Sequence, residues 1–292
     1  MKIGIQLYPS GPMAAPEFIG TVAKSAEERG FQSIWLAEHI LLFPELASPY
    51  PYSADGSFPF DTSQLPLEPF TALSFIAGQT STIRLATGVS VLPQRNPVFA
   101  AKQAADVDLL SGGRLDYGIG VGWCLEEIAA LGTPTGRRGA RTDDYVRLMK
   151  ALWTEEVPEY QGEFYTLPPS YSGPKPVQQP HPPLYFGGRT KAALRRVARL
   201  GDGWFAPALP PGELATAVGD LAAACLAEER QPTELSIAAG STGGRVDPDE
   251  ARAYREAGAD QIIVPLGGRT LDSCLARLDD LAENLVIPTA DL

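Results

Sequence analysis

Short apolar runs of strand length alternate with segments of helical periodicity along most of the chain. The first pair is Lys2–Tyr8, a strand-length run, and Pro16–Gly30, in which apolar residues recur at helical spacing before a terminal glycine. Seven further pairs follow, and their strand-length runs are Phe31–Ala37, Ile83–Val89, Gly112–Trp123, Leu184–Phe186, Gly203–Ala206, Leu235–Ala239 and Gln261–Pro265. This repetition predicts a closed (β/α)8 TIM barrel. A doubly wound sheet is the alternative, but Tyr8–Pro12 is a poor match to its phosphate loop.

Two irregular segments interrupt this alternation. Residues 38–66 are rich in proline, serine and aromatic side chains, and residues 157–183 end in PKPVQQPHPP, which cannot be helical. Loops of this length in a compact enzyme are usually lids or binding loops. We therefore expect one domain over residues 1–292, with insertions at about 38–66 and 157–183 that help to form the substrate pocket.

The first of these loops carries five aromatic residues, namely Phe43, Tyr50, Tyr52, Phe58 and Phe60. Aromatic side chains in a binding loop favour an apolar or ring-bearing substrate. Packing of the loop onto the barrel explains them equally well and is the commoner use of aromatic residues.

The composition excludes several classes of protein. The net charge of −11 argues against binding to nucleic acids or anionic membranes, because such surfaces are usually basic. Cys124, Cys225 and Cys274 form no C-x-x-C pair and only two histidines accompany them, so we expect reduced thiols and no metal site. No signal-peptide or membrane-span pattern is present, and we expect a soluble cytoplasmic protein with a small-molecule substrate. A homodimer is the default assembly.

The Gly112–Trp123 run is unusual for a central strand because Gly118, Gly120 and Gly122 alternate within it. Glycine weakens a strand interior, so this pattern indicates that a flat or bulky group approaches the main chain closely. A dinucleotide fingerprint would require glycine at the position of Trp123, and the Rossmann interpretation is therefore weak.

In a barrel, the ligand site lies at the carboxyl ends of the strands. His39 follows the second strand and is a candidate proton donor or acceptor, although a loop hydrogen bond explains it nearly as well. Thr87 and Ser90 flank Gly88 at the end of the third strand, where their hydroxyls could bind a ligand or satisfy local backbone.

The turn Gly187-Gly188-Arg189-Thr190 leads from the fifth strand into a helix. Unpaired N–H groups at a helix N-terminus attract anions, and Arg189 and Lys191 add positive charge. An ordinary strand-to-helix turn is the alternative. The acidic pair Glu126-Glu127 lies in the first turn of another helix, where the helix dipole alone accounts for it. His181 stands among prolines and is predicted to be structural.

Several segments together resemble the luciferase-like flavin and deazaflavin oxidoreductase family, particularly its coenzyme F420-dependent branch. They are GFQSIWLAEH (30–39), the run 83–123, RGARTDDYVRLMKALWTEE (138–156), GEFYTL (162–167) and PKPVQQPHPPLYFGGRTKAALRRVARLGDGW (174–204). The resemblance covers nearly the whole chain and implies a TIM-like barrel with an insertion, in agreement with the periodicity.

The resemblance also implies roles for the strand-end residues. Glu38 and His39 match an acid–histidine pair beside the reactive face of the cofactor ring. The segment Thr87–Ser90, with Gly88, matches a bulge that contains a non-prolyl cis peptide in several deazaflavin members. Residues that match the remaining cofactor contacts are Gly122 and Trp123 at the ring, Glu126 near the polar tail, and Gly187, Gly188, Arg189 and Thr190 at the phosphate.

One departure from the family pattern concerns the fourth strand. Some F420-dependent sugar-phosphate dehydrogenases carry a catalytic glutamate just after its glycines, and Trp123-Cys124-Leu125 offers none, which places sugar-phosphate oxidation in doubt. The resemblance implies an F420-dependent oxidoreductase that transfers hydride to or from an organic substrate. An FMN-dependent monooxygenase of the same family and a non-catalytic flavin-binding barrel are the alternatives.

Overall fold

The computed structural model describes residues 1–243 and 246–292 of the chain. Its parallel strands close into an eight-stranded barrel, which confirms the predicted (β/α)8 TIM barrel. The first to eighth barrel strands are Lys2–Leu7, Ser33–Leu36, Arg84–Thr87, Leu115–Gly120, Leu184–Gly187, Gly203–Ala206, Ser236–Gly240 and Gln261–Pro265. Each strand pairs with the next, and the eighth strand closes the barrel against the first.

Helices surround the barrel and pack their apolar sides on it. They are α1 Pro16–Glu28, α2 Pro69–Ala77, α3 Pro97–Ser111, α4 Leu125–Ala130, α5 Arg138–Thr154, α6 Lys191–Leu200, α7 Pro211–Ala227, α8 Pro248–Glu256 and α9 Leu271–Leu281, which continues as a π-helical turn over Ala282–Val286. Within the described chain, no helix is long and apolar enough to cross a lipid bilayer.

Local sequence explains the ends of helix α3. The Asn96 side chain caps its start by accepting hydrogen bonds from the N–H groups of Val98 and Phe99, and Pro97 occupies the first helical position. Gly112 ends the helix in the left-handed conformation, with φ of 69°, which only glycine adopts without strain. The predicted fourth strand, Gly112–Trp123, was therefore too long, because its first residues complete a helix.

The two insertions differ in how much regular secondary structure they contain. Residues 38–66 contain neither helix nor strand, and Pro66 at their end forms an isolated antiparallel bridge with Ser10. Residues 157–183 contain an antiparallel hairpin, Tyr160–Gln161 paired with Thr166–Leu167, which the sequence did not predict. After the fourth strand the chain forms two helices, α4 and α5, and α5 begins at Arg138.

The fourth-strand glycines make room for the end of the third strand. A Cβ atom at Gly118 would lie 1.8 Å from the Thr87 carbonyl oxygen, and one at Gly120 would lie 2.6 Å from Cγ2 of Val89. The peptide bond between Gly88 and Val89 is cis and lies in the segment that matches the family's bulge. The bulky group that the glycine pattern predicted is therefore the neighbouring strand of the same chain.

The interior of the barrel is aromatic below its carboxyl-terminal opening. The Trp35 ring stacks on Phe205 with a centroid separation of 4.9 Å and meets the edge of Tyr185 at 5.5 Å. The Trp35 indole N–H donates to Ser33 Oγ at 2.8 Å, so its polar atom is satisfied within the barrel. These rings form a floor beneath the strand ends at which we expected the ligand site.

Candidate active site

His39 lies just beyond the second barrel strand and is held by a carboxylate of helix α4. Its ring atom Nδ1 is 2.9 Å from Oε2 of Glu127, a residue that is only 1% exposed. The other carboxylate oxygen, Oε1, accepts hydrogen bonds from the backbone N–H groups of Ile40 at 2.6 Å and Leu41 at 3.2 Å. The helix dipole is therefore an insufficient explanation of Glu127, whose carboxylate has three specific partners 86 to 88 residues earlier in the chain.

The Glu38 carboxylate points into the protein. It pairs with Arg95, with Nη2 3.0 Å from Oε2, and it also accepts from Nε2 of Gln94 at 3.1 Å. Arg95 reaches Glu68, the N-cap of helix α2, at 2.6 Å. Burial alone would lower the pKa of Arg95, but Glu38 and Glu68 raise it above its usual value. The Glu38 side chain has no exposed surface, so it fixes the backbone before His39 and does not open onto the barrel mouth.

Aromatic rings of the 38–66 loop pack over His39. Phe58 stacks on Trp123 at 5.3 Å, and both rings meet His39 edge-on, at 5.5 Å and 5.6 Å. Adjacent ring contacts extend this set to the mouth cluster, which consists of Tyr8, His39, Tyr50, Tyr52, Phe58, Phe60 and Trp123. Four of the five loop aromatics thus pack with one another or with barrel residues, which is the second of the two explanations offered by the sequence.

Glu126 holds the same loop at a second place. Its Oε1 accepts from the backbone N–H groups of Ala47 at 2.7 Å and Ser48 at 2.8 Å. Ser48 Oγ in turn accepts from the N–H of Leu125 at 3.0 Å, which satisfies a free donor at the start of helix α4. Hydrogen bonds from Ser48, from its own backbone and from Ala47 lower the pKa of Glu126 to about 2. Its carboxylate is thus already engaged by the loop.

Tyr8 and Ser241 are among the described residues whose buried hydroxyl group has no hydrogen-bond partner. Tyr8 Oη follows the first strand, and Ser241 Oγ follows the seventh. Burial raises the pKa of the Tyr8 phenol to about 12, with a further contribution from Glu127, so Tyr8 remains a donor at neutral pH. The sequence analysis missed Tyr8. The signal was the two-residue period of the strand, which places Gly4, Gln6 and Tyr8 on its inward side.

The two hydroxyls at the end of the third strand, those of Thr87 and Ser90, are buried. Thr87 Oγ1 donates to the Gly118 carbonyl at 2.6 Å, so it satisfies local backbone. Ser90 has no exposed surface. Gly122 has a φ of 77°, and a Cβ atom there would lie 2.7 Å from Val91 and Ile128, so internal packing explains this glycine. Neither hydroxyl reaches a ligand at the mouth in this arrangement.

The turn after the fifth strand forms a capped helix start. Thr190 Oγ1 accepts from the N–H of Ala193 at 3.2 Å, and the Gly188 carbonyl accepts from the Trp204 indole at 2.8 Å. Arg189 is exposed beside a hollow of about 330 Å³ whose lining also includes Glu213 and Asp220. Gly187, Gly188, Arg189 and Thr190 therefore present N–H groups and a cation together, with two carboxylates nearby.

The profile of the luciferase-like monooxygenase family matches residues 2–284, which includes every strand and the candidate site. The chain belongs to this family. The luciferase-like fold thus accounts for the barrel, and its members are oxidoreductases and monooxygenases.

Relatives of this luciferase-like protein include enzymes with two different cofactors. A protein of Mycobacterium tuberculosis without an assigned activity is 31% identical over 288 residues, which cover 98% of this chain and 99% of the relative. An F420-dependent glucose-6-phosphate dehydrogenase of Kineococcus radiotolerans is 31% identical over 207 residues, 70% of this chain and 56% of the dehydrogenase. An FMNH2-dependent dimethylsulfone monooxygenase of Pseudomonas putida is 33% identical over 129 residues, 43% of this chain and 36% of the monooxygenase.

Solved structures support the luciferase-like fold. The monooxygenase RslO1 from Streptomyces bottropensis superposes with a TM-score of 0.78 at 22% identity, covering 98% of this chain and 99% of RslO1. An F420-dependent secondary alcohol dehydrogenase in complex with an F420–acetone adduct superposes with a TM-score of 0.77 at 17% identity, covering 99% and 98%. At these identities the likeness establishes a shared fold and leaves the reaction open.

Proposed function

We propose that this luciferase-like protein is an F420-dependent oxidoreductase that transfers hydride between the deazaflavin and an organic substrate. The observation that carries the proposal is the His39 ring, which is oriented through Nδ1 by a buried carboxylate and whose Nε2 makes no hydrogen bond within the described chain. Oxidation of a carbon–oxygen or carbon–nitrogen single bond releases a proton together with the hydride. A histidine at the mouth of the barrel suits that proton transfer.

The residues present fit a deazaflavin in part. Arg189, the turn N–H groups and Thr190 would hold its phosphate, because a helix N-terminus and a cation both favour an anion. Trp123 would lie against the ring. Tyr8 Oη and Ser241 Oγ are unpaired polar atoms at the mouth that a polar ligand edge would satisfy. The bound cofactor would supply the hydride chemistry, while the barrel would supply orientation and exclusion of water.

Other residues suggested by the sequence are less suited to this role. Thr87 and Glu126 already have hydrogen-bond partners in the protein, and Ser90 and Glu38 have no exposed surface. We therefore assign Glu38 to holding the backbone at His39 and Glu126 to holding the loop. Gly88 and Gly122 would contribute shape rather than polar contacts.

Ligand entry would require the 38–66 loop to move. Phe58 covers both Trp123 and His39, so a tricyclic ring could reach His39 only after the Phe58 side chain gives way. The same loop would then close over the substrate. We expect the indole fluorescence of Trp123 to change when the cofactor binds, and the Trp123→Phe variant to lack most of this change.

The main alternative is an FMN-dependent monooxygenase, which the FMNH2-dependent relative supports. Equilibrium titration of the purified protein with F420 and, separately, with FMN distinguishes the two proposals. We expect saturable micromolar binding of F420. Micromolar binding of FMN without any response to F420 would contradict our proposal, and tight F420 binding without turnover of any substrate in a broad panel of alcohols, amines and enones would identify a non-catalytic binder.

A further inference from the structure

We propose that Glu127 is the positioning residue that holds His39 as the Nδ1–H tautomer, so that Nε2 is the atom that exchanges a proton with the substrate. This inference rests on the proposed function for its role in turnover. The tautomer itself is a property of the protein and can be measured without any cofactor.

The two carboxylate oxygens of Glu127 have different hydrogen-bond partners, and this difference determines the direction of the hydrogen bond to His39. Oε1 faces two backbone N–H groups, those of Ile40 and Leu41, which can only donate. Those bonds, and the position of Glu127 in the first turn of helix α4, favour an ionised carboxylate. Oε2 is then an acceptor as well, so His39 Nδ1 must carry the hydrogen.

The opposite arrangement would place the proton on Glu127 and a lone pair on Nδ1. A carboxyl group is ordinarily a stronger acid than an imidazolium by about 2 pKa units, so the proton belongs on the ring. A neutral imidazole with hydrogen on Nδ1 has its lone pair on Nε2. Nε2 can therefore accept a proton when the substrate is oxidised and return it when the substrate is reduced.

Other titratable groups surround this pair. Tyr8 and Cys124 lie near Glu127, and burial is the first cause that raises the pKa of Tyr8 to about 12 and that of Cys124 to about 11. Glu126 is engaged by Ala47 and Ser48, and Glu38 is paired with Arg95. Tyr8 and Cys124 therefore remain protonated at neutral pH.

The same carboxylate also holds the start of the 38–66 loop, because Ile40 and Leu41 are its first residues after His39. An isosteric substitution separates these two roles. In Glu127→Gln, the amide oxygen must stay opposite the two N–H donors, because an NH2 group there would face them donor to donor. The NH2 group is then directed at His39 Nδ1, which has to accept, and the ring hydrogen moves to Nε2.

Nitrogen-15 NMR of histidine-labelled protein tests this directly. The chain has only two histidines, so the spectrum of the His181→Gln variant contains His39 alone. In cofactor-free protein above neutral pH, we expect a pyrrole-type Nδ1 and a pyridine-type Nε2. In the His181→Gln background, Glu127→Gln should exchange the two signal types. Glu127→Asp in the same background keeps a carboxylate and should therefore keep a pyrrole-type Nδ1 and a pyridine-type Nε2.

A control variant separates the effect on the histidine from the effect on the loop. Glu126→Gln is the matched control, since Glu126 binds the same loop without touching His39. It should leave the tautomer unchanged, while thermal unfolding of both variants shows that they are folded.

A wild-type ring with hydrogen on Nε2, or a Glu127→Gln variant that keeps hydrogen on Nδ1, would overturn the inference. Neither outcome depends on F420. Failure of F420 to bind, together with the expected tautomers, would instead remove the proposed function and leave the positioning role of Glu127 in place.

Discussion

The two ends of the barrel differ in how their buried polar groups are paired. At the amino-terminal end, Arg84 donates to both oxygens of Asp116, at 2.5 Å and 2.8 Å, and to Gln178 at 3.2 Å. At the carboxyl-terminal end, Tyr8 and Ser241 have buried hydroxyls without partners in the described chain. Unpaired buried polar groups are costly, so a polar ligand bound at this end would satisfy the hydroxyls of Tyr8 and Ser241.

The two histidines show the same difference. The His39 ring at the mouth is hydrogen-bonded to a carboxylate, and its Nε2 makes no hydrogen bond to the described residues. His181, just before the fifth strand, is 2.9 Å from the Pro182 carbonyl and packs against Trp153. Burial is the first cause that lowers the pKa of His181, which favours a neutral ring. In barrel enzymes, residues at the amino-terminal face contribute to stability and residues at the carboxyl-terminal face contribute to catalysis. The surroundings of the two histidines follow this division.

The largest expected effect comes from removing the mouth histidine. His39→Gln should reduce the rate of cofactor oxidation or reduction by about 10²–10⁴-fold with any substrate that the wild type turns over. The dissociation constant for F420 should change far less, because the residue handles a proton rather than the cofactor. Stopped-flow absorbance of F420 measures the rate, and His181→Gln is the control that should keep it. Equal rates in wild type and His39→Gln would contradict the proposed proton-transfer role of His39.

The opposite result is expected at the amino-terminal end. Asp116→Ala leaves the Arg84 guanidinium without its buried partner and should lower the free energy of unfolding by about 3 kcal/mol. Chemical denaturation measures this, and the F420 dissociation constant should stay unchanged. Asp106→Ala removes an exposed pair with Lys102 and should cost no more than about 0.5 kcal/mol. A shift in cofactor affinity in Asp116→Ala without loss of stability would reverse our assignment of the two ends.

A charge at the mouth should affect binding without affecting the fold. Arg189→Ala should weaken F420 binding by about 1–3 kcal/mol if the guanidinium bonds the phosphate. Arg195→Ala, an exposed arginine further along helix α6, is the matched control and should leave affinity unchanged. Isothermal titration calorimetry measures both. An unaltered dissociation constant in Arg189→Ala would return this turn to an ordinary strand-to-helix connection.

The unpaired phenol at the mouth offers a finer test. Tyr8→Phe removes a hydroxyl that has no partner in the described chain, so the free energy of unfolding should not fall. Ligand binding or turnover should weaken by about tenfold if the phenol bonds the ligand. A loss of stability with unchanged turnover would show instead that Tyr8 belongs to the fold.

The smallest effect concerns pH and the second histidine. The pKa of His181 is lowered in the folded protein from its ordinary 6.5, so the unfolded chain binds more protons as the pH falls below that value. Stability should therefore decrease with acidity, and His181→Gln should remove less than about 1 kcal/mol of this dependence. Denaturant titrations of wild type and variant at pH 7.5 and 5.5 compare the two slopes, and identical slopes would refute the prediction.

Sequence periodicity was sufficient for the fold because each strand–helix unit carries its own apolar pattern and its own glycine or proline ends. The strand ends at His39 and Gly187–Thr190 could be found in the same way. Glu127 and Arg95 could not, because their partners lie far away in sequence: His39 is 88 residues before Glu127, and Glu38 is 57 residues before Arg95. Closure of the barrel brings them together, and a linear pattern does not contain that information.

Residues 89 and 120 should also vary together among related sequences. Replacing Val89 by alanine removes its two methyl groups. The Cβ atom of residue 89 would then lie 3.7 Å from a Cβ atom added at Gly120, which is an ordinary van der Waals contact. Gly120→Ala should therefore be tolerated in a Val89→Ala background and not alone. Gly118 faces a carbonyl oxygen of the main chain at 1.8 Å, so no change of side chain compensates for its replacement. Redesign of the barrel mouth can thus substitute residues 89 and 120 together but has to keep glycine at residue 118.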